Sequence, residues 1–407
     1  MGSTCKGMPR LMKTAIIGCG YVADFYANNV KGHEGFEISK AFDIDQARLQ
    51  QFCKYFEIAS AASIEEVLND SSIEMVLNLT NPRSHFDVTK KCLEAGKHVY
   101  SEKPIAMTVA QSQELIQIAN QHKVRLGCAP CSVLGDTAQT VWKAIEDGMI
   151  GKVRLVYANY DDGMIAPNMS PWTWTTESGA KWPAKDEFEV GCTFEHAGYF
   201  LTWLAAYFGP ARRVTAFSST QIPDKGIAVD SMAPDFSVGC LEYDDGVVAR
   251  VTSGLVAPQD KSLTVVGDEG ALTVPYLRND QEKVFLTRDR KPKNLARVEN
   301  WMNRIQRRLS FVSRKLPWPI QEWSFQEQVP FARTKSFRPA AAAGKHVDFW
   351  RGPVDLANAI KEDRPHRMSA ELAVHVVELI NELQHPTKNG YEVETSFPKI
   401  EPLEWDA

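Results

Sequence analysis

The stretch "KTAIIGCGYVADFYANNV", residues 13–30, constrains this chain more than any other. An apolar run suited to a buried strand ends in Gly18-x-Gly20-x-x-Ala23, and a helix-like pattern follows directly. In a dinucleotide-binding strand–turn–helix unit the first glycine permits the tight turn. The second lets the backbone N–H groups around Tyr21 and Val22 approach a pyrophosphate. The small third position lets the helix close on the strand, and the helix N-terminus adds its partial positive charge. "FEISKAFDID" reads as a second strand ending at Asp43, 25 positions after Gly18. About 20 is the usual separation for an acid that binds the adenosine ribose. A carboxylate there accepts hydrogen bonds from ribose hydroxyls and repels a 2′-phosphate, which favours NAD over NADP. Asp45 is the near rival for this role.

The alternation continues. "IEMVLNLT" reads as a buried strand, "SHFDVTKKCLEAG" as a helix closed by Gly96, "KHVYSEKP" as a strand, "TVAQSQELIQIANQH" as a helix and "VRLGCAP" as a strand. Strands separated by helices of this length predict a doubly wound parallel sheet, with ligands at the carboxyl ends of its strands. Thr80, Asn81, Pro82 and His85 stand at one such end, and Glu102, Lys103 and Pro104 at the next. Pro104 stiffens its turn and is a candidate cis residue. His85 is open between cofactor contact and structural strut.

After residue 132 the pattern changes. "KVRLVYANYD", "RRVTAFSST", "DFSVGCLEY", "GVVARVTSGL" and "SLTVVGDEGALTV" read as strands with few helices between them. The α/β fold class is therefore a Rossmann domain (12–132) followed by an α+β domain (133–390) with a large, open-faced, mainly antiparallel sheet, and a tail at 391–407. A chain of 407 residues is long enough for two such domains.

Composition excludes several classes. The formal net charge is −5, which provides no global field for nucleic acid. No apolar run approaches the roughly 20 residues of a membrane span. The first residues carry no long apolar segment, and Lys6 stands where a lipidation signal after Gly2 wants Ser or Thr, so a cytoplasmic protein is expected. Eight cysteines in a chain this long suggest reduced thiols rather than a disulfide framework. Cys128 and Cys131 form a C-x-x-C; buried or site-lining thiols at a strand end are favoured over a redox pair. No metal site is expected.

"GCGYVA", "TNPRSH" and "SEKPIAM" together resemble the Rossmann half of the glucose–fructose oxidoreductase/inositol dehydrogenase/MocA family. "AIEDGMIGKVRLV", "GCTFEHAGYFLTWLAAYFGP" and "DLANAIKEDRPHRMSAELAVHVVELINEL" are similar to later parts of the same family, so the resemblance covers most of the chain. It implies an NAD(P)-dependent oxidoreductase acting on a sugar, nucleotide sugar or cyclitol, and a homodimer or homotetramer formed through the open sheet. The family's lysine falls on Lys103, where it implies a hydrogen bond to the reacting oxygen. Glu102 is expected to orient Lys103 or contact the nicotinamide ribose. Many members carry an Asp and, four residues later, a His; those slots hold Glu195 and Tyr199 here. Glu195 and Tyr199 are i and i+4 and share a helix face, whereas His196 points about 100° away from Glu195. Tyr199 is therefore favoured for proton transfer, with His196 the alternative base and Glu195 a substrate contact. The family's N-x-R-like segment is replaced by "CAPCSVLGD", which removes a cationic substrate contact.

Two further features stay open. Trp172, Trp174 and Trp182 lie in a Pro/Gly/Ser-rich loop and either stack on sugar rings or plug a domain junction. Residues 288–315 carry ten Lys/Arg against Asp289 and Glu299, with an apolar stripe from Val298 to Val312 inside an insertion of about 288–340. Packing on its own or a neighbouring subunit is favoured over a membrane surface, a lipid-linked saccharide or a diphosphate substrate. Rival functions are an NAD-dependent glycoside hydrolase using transient sugar oxidation, and a non-catalytic NAD-binding sensor.

Overall fold

A computed structural model describes residues 11–165, 169–288, 326–333 and 347–406. Two sheets organise it. The first is fully parallel, with strands β1 (Met12–Ile17), β2 (Phe36–Phe42), β3 (Ala59–Ser60), β4 (Met75–Asn78), β5 (His98–Ser101) and β6 (Leu126–Cys128). Their order is β3-β2-β1-β4-β5-β6, that of a dinucleotide-binding doubly wound sheet. Helices α1 (Ala23–Asn29), α2 (Gln46–Phe56), α3 (Ile64–Leu68), α4 (His85–Glu94) and α5 (Val109–His122) fill the connections. Local chemistry fixes their ends: the Asp45, Ser63 and Thr108 side chains accept from first-turn N–H groups. Gly96, at φ +75°, follows α4. β4 is buried along its whole length, which is why it reads as a continuous apolar run rather than an alternation.

After α6 (Asp136–Glu146) comes a mixed nine-stranded sheet built from β7 (Val153–Asp161), β8 (Arg213–Ser219), β9 (Phe236–Glu242), β10 (Val248–Gly254), β11 (Leu263–Gly267), β12 (Gly270–Val274), β13 (Val284–Thr287), β14 (Gln326–Val329) and β15 (Tyr391–Glu392). All its pairings are antiparallel except β7 with β10. The expected strand "SLTVVGDEGALTV" is a hairpin, β11–β12, turning at Asp268–Glu269. One face of the sheet packs on helices α8 (Cys192–His196) and α9 (Gly198–Phe208), and α7 (Ala184–Val190) packs against α8. On the other face Leu155, Tyr157 and Phe217 are exposed.

Helices α10 (Arg351–Glu362) and α11 (Ala370–Gln384) tie the halves together. α10 packs on β5 and β6 of the first sheet, while α11 lies between α5 and β8. α11 is buried nearly all round because it is covered on both sides, its polar His375, Glu378, Glu382 and Gln384 included. The stretch read as a tail is anchored as well: β15 pairs with β8, and Asp406 N–H donates to the Ala332 carbonyl. β14 lies inside the insertion and returns the chain to the sheet edge beside β13. The basic stripe, residues 289–315, falls outside the described residues. Among the described residues no helix is long and apolar enough to cross a membrane, and no His/Cys/Asp/Glu group could hold a metal.

Candidate active site

Beyond the carboxyl ends of the first sheet, Lys103 after β5 faces Glu195 of α8, Asn81 after β4 faces Asp186 of α7, and Asp24 of α1 faces Ser178 in the loop that follows β7. Gly18 sits where β1 turns, at φ +95°, and a Cβ there would lie 2.7 Å from the Leu79 and Thr80 backbone. Only glycine meets both demands. A Cβ at Gly20 would meet nothing within 4 Å, which leaves the loop face open for a close backbone approach. No side chain caps α1; the Ala23 and Phe25 N–H groups bond back to the Gly20 and Val22 carbonyls, which tightens the loop at the helix start. The residues therefore suit a dinucleotide.

Asp43 stands at the end of β2, 3% exposed. Its Oδ2 accepts from Cys19 N–H at 2.7 Å and from Arg48 Nε at 2.9 Å. Its Oδ1 accepts from Asp45 N–H at 2.8 Å and from Arg48 Nη2 at 2.6 Å. The carboxylate thus braces the glycine loop, and Arg48 occupies one acceptor position on each of its oxygens. Asp45, the rival, caps α2 instead. Thr80 bonds to the buried Asn78 side chain at 2.7 Å through its hydroxyl, and Asn81 reaches across to Asp186 of α7. His85 is 1% exposed, with Nδ1 at 2.6 Å from the Pro104 carbonyl oxygen and Nε2 at 2.8 Å from that of Thr80. Burial lowers the pKa of the ring, and a neutral ring donates to one of these carbonyls and packs against the other, so His85 sits between two strand-end loops.

Lys103 follows β5, and the Lys103–Pro104 bond is cis. Glu102 does not hold the ammonium. Its Oε1 accepts from Tyr26 Oη at 2.9 Å and its Oε2 from the Lys103 N–H at 3.0 Å, so it fixes the loop's backbone. The Lys103 ammonium instead crosses the cleft to pair with Glu195 of α8. Burial pulls its pKa down, but Glu195, Tyr199 and Glu102 outweigh that and leave it raised.

Gly191, at φ +100°, separates α7 from α8; a Cβ there would collide with Gln384 Oε1 at 2.4 Å and Ala233 Cβ at 2.9 Å. That break aims α8 and α9 at the cleft. The helix-face expectation needs refinement here. Glu195 is the partner of Lys103, whereas His196 and Tyr199, three residues apart, both stack on Tyr160 of β7. The ring centroids are 4.7 Å and 5.3 Å from that of Tyr160. Burial raises the Tyr199 pKa against the opposing pull of Arg278 and Lys103, so its phenol is protonated at neutral pH. Burial lowers His196 to about 3; Asp162 opposes this, and Lys103, Lys261 and Arg278 reinforce it. His196 Nε2 lies 3.3 Å from Glu187, whose carboxyl is pushed well above the usual range by burial and by Glu195. Burial disfavours charge on both partners of this contact. His196 Nδ1 is buried without a hydrogen-bond partner.

Around these lie groups that sequence reading did not single out. Arg278, from the β12–β13 loop, stacks 4.4 Å from the Tyr199 centroid and donates from Nη1 to Tyr160 Oη at 3.1 Å. Lys261 pairs with Asp162 and lies 4.7 Å over the Tyr160 ring. Tyr160 alone had a local signal, an inward position in the alternation of β7.

The tryptophan loop forms a small core of its own. Trp172, Trp174 and Trp182 pack with Ile165, Ala184, Phe188, Cys192 and Leu255, and Trp174 meets Trp182 at 5.5 Å. The loop also docks on the first domain: Asp24 accepts from Ser178 N–H at 2.8 Å and from Ser178 Oγ at 2.7 Å. Trp172 and Trp174 thus pack within the second domain, and the contact with the first domain is made by Ser178. Cys128 and Cys131 are buried free thiols.

Comparison with known proteins adds two family matches. Residues 12–129 match the oxidoreductase family with an NAD-binding Rossmann fold, and residues 138–273 match the GFO/IDH/MocA C-terminal domain. An uncharacterized oxidoreductase of Synechocystis sp. is 24% identical over 65% of this chain and 71% of its own length. The scyllo-inositol 2-dehydrogenase (NADP(+)) IolW of Bacillus subtilis is 25% identical over 50% of this chain and 54% of its own. Levoglucosan dehydrogenase, solved with NADH and levoglucosan, superimposes with a TM-score of 0.72 at 16% identity, over 94% of this chain and all of that one.

Proposed function

This chain belongs to the GFO/IDH/MocA family of NAD-binding oxidoreductases, and we propose that it transfers a hydride to or from a hydroxyl-bearing carbon of a sugar, nucleotide sugar or cyclitol. The observation that carries this is Lys103, at the end of β5 beside the glycine loop, paired across the cleft with Glu195 and within electrostatic reach of Tyr199. NAD, when bound, supplies the nicotinamide hydride acceptor or donor. The chain supplies the rest. Gly18, Gly20, Tyr21, Val22, Asp43, Thr80, Asn81 and Glu102 shape the cofactor side. Lys103 donates a hydrogen bond to the reacting oxygen and stabilises alkoxide character. The protonated phenol of Tyr199 gives its proton to that oxygen when a ketone is reduced; in the oxidative direction the phenol first releases its proton to solvent, and the phenolate then takes the hydroxyl proton of the alcohol. His196 offers Nδ1 to a substrate hydroxyl, and Glu195 holds the ammonium in place.

The sugar or polyol class is supported by the inositol dehydrogenase relative and by the levoglucosan complex. The exposed apolar residues on the open face of the second sheet support a homo-oligomer, and the free cysteines support a reducing, cytoplasmic setting. The test is NADH formation from NAD⁺ on a panel of sugars, sugar acids and cyclitols. Turnover by the wild type that disappears in Lys103→Ala supports the reading. Turnover on none of them sinks it.

A further inference from the structure

The cations around the cleft differ in how they are paired. Lys103 is matched by Glu195 and Lys261 by Asp162. Arg278 has no such contact partner: among the described residues no carboxylate forms an ion pair with it, Asp162 acts on it only at longer range, and its one hydrogen bond goes to the neutral Tyr160 phenol. A half-buried guanidinium facing neutral rings is costly unless an anion completes it.

Its position is built rather than incidental. Leu277 N–H donates to the Lys261 carbonyl at 2.7 Å, next to Arg278. Two residues further on, Asp280 is 2% exposed, accepts from Arg351 Nε at 3.1 Å and accepts from Asp348 N–H at 2.9 Å. The loop is thus clamped to α10 on one side and to the β11 region on the other. Tyr199 covers one face of the guanidinium and Tyr160 Oη takes an N–H of Nη1, while the other in-plane N–H groups have no hydrogen-bond partner among the described residues. A planar fork of donors fits a carboxylate in two parallel hydrogen bonds.

We propose that the substrate is a sugar acid, a uronate or aldonate, whose carboxylate is received by Arg278 while its reacting carbinol lies at Lys103 and Tyr199. The assignment rests on the dehydrogenase reading for the reacting end and on Arg278 alone for the acid end. It also explains how a pocket without the family's N-x-R-like contact still presents a cation: the second domain supplies one from the β12–β13 loop.

The experiment is calorimetric binding to the NAD⁺-saturated protein. The probes are D-glucuronate, D-galacturonate and D-gluconate, with D-glucose, D-galactose and D-glucitol as neutral counterparts and a hexose phosphate as a second anion. The expected result is at least about tenfold tighter binding of an acid than of its neutral counterpart. Arg278→Gln abolishes that preference and Arg278→Lys keeps part of it, with NAD⁺ affinity serving as the folding check on both. Equal binding of acid and neutral sugar, a preference that survives Arg278→Gln, or a preference for the hexose phosphate overturns the proposal. Turnover is read separately. An acid preference without NADH formation from any compound retains the Arg278 assignment and removes the dehydrogenase reading.

Discussion

Lys103 and Glu195 are 92 residues apart in sequence and form one ion pair across the cleft, so the first domain's cation is held by the second domain's acid. Both side chains are largely withdrawn from solvent, at 16% and 12% exposure. Burial favours the neutral amine, and the carboxylate reverses that preference. Replacing Glu195 by Gln removes the reversal and lowers the Lys103 pKa. Activity that needs the ammonium is then lost at a lower pH. The alkaline limb of the kcat/KM profile is expected to move to lower pH in Glu195→Gln and to be largely restored in Glu195→Asp. A limb that stays in place shows that another group titrates there.

The proton assignment separates Tyr199 from His196. Tyr199→Phe keeps the ring stacked between Tyr160 and Arg278 and removes only the acid. It should lower kcat by about 10²–10⁴. His196→Ala removes a hydroxyl contact and should act mainly on KM. Steady-state kinetics on both variants decides this; a dead His196→Ala beside a normal Tyr199→Phe moves the proton to the imidazole.

Arg48 governs cofactor choice in this geometry. It fills one acceptor position on each oxygen of Asp43 and offsets its charge. Arg48→Ala exposes the carboxylate to the ribose, which favours hydroxyls and repels a 2′-phosphate. The NAD⁺/NADP⁺ ratio of kcat/KM should rise about tenfold, which corresponds to roughly 1.4 kcal/mol. A fall in the ratio would show that Asp43 does not face the ribose.

His375 predicts part of the acid sensitivity of the fold. It is 1% exposed, and its Nε2 accepts from Ala211 N–H at 3.1 Å, a bond only the neutral ring can make. Burial lowers its pKa from 6.5 to about 4. Between these values the unfolded chain binds a proton that the folded chain does not. Stability therefore falls as pH drops from 6.5 towards 4, by at most about 3 kcal/mol from this group. His375→Gln should be less stable than wild type at pH 8 and lose less on going to pH 5. Urea midpoints of both proteins at the two pH values check this, and parallel losses would contradict it.

Legibility in the sequence followed the range of the interactions. Gly18 and Lys103 were readable because strand, turn and helix signals surround each within a few residues. Glu195 and Tyr199 were readable because helical spacing is local. Arg278 was not: in "VPYLRNDQEK" nothing distinguishes it from a solvated loop arginine. It reaches the site only because β11 and β12 pair and Asp280 binds Arg351. Likewise α10 follows the second sheet in sequence but packs on the first, and such placement leaves no periodic signal. For Asp43, motif spacing gave the position, while the Arg48 fork over its oxygens emerged only from the fold.

The central claim is that Lys103 stabilises the reacting oxygen. The direct measurement is single-turnover NADH formation by wild type and Lys103→Ala on the best substrate of the sugar, sugar acid and cyclitol panel, with NAD⁺ affinity measured in parallel. The account predicts a fall of about 10³-fold or more in the hydride-transfer rate at unchanged NAD⁺ affinity. A Lys103→Ala rate equal to wild type would contradict it.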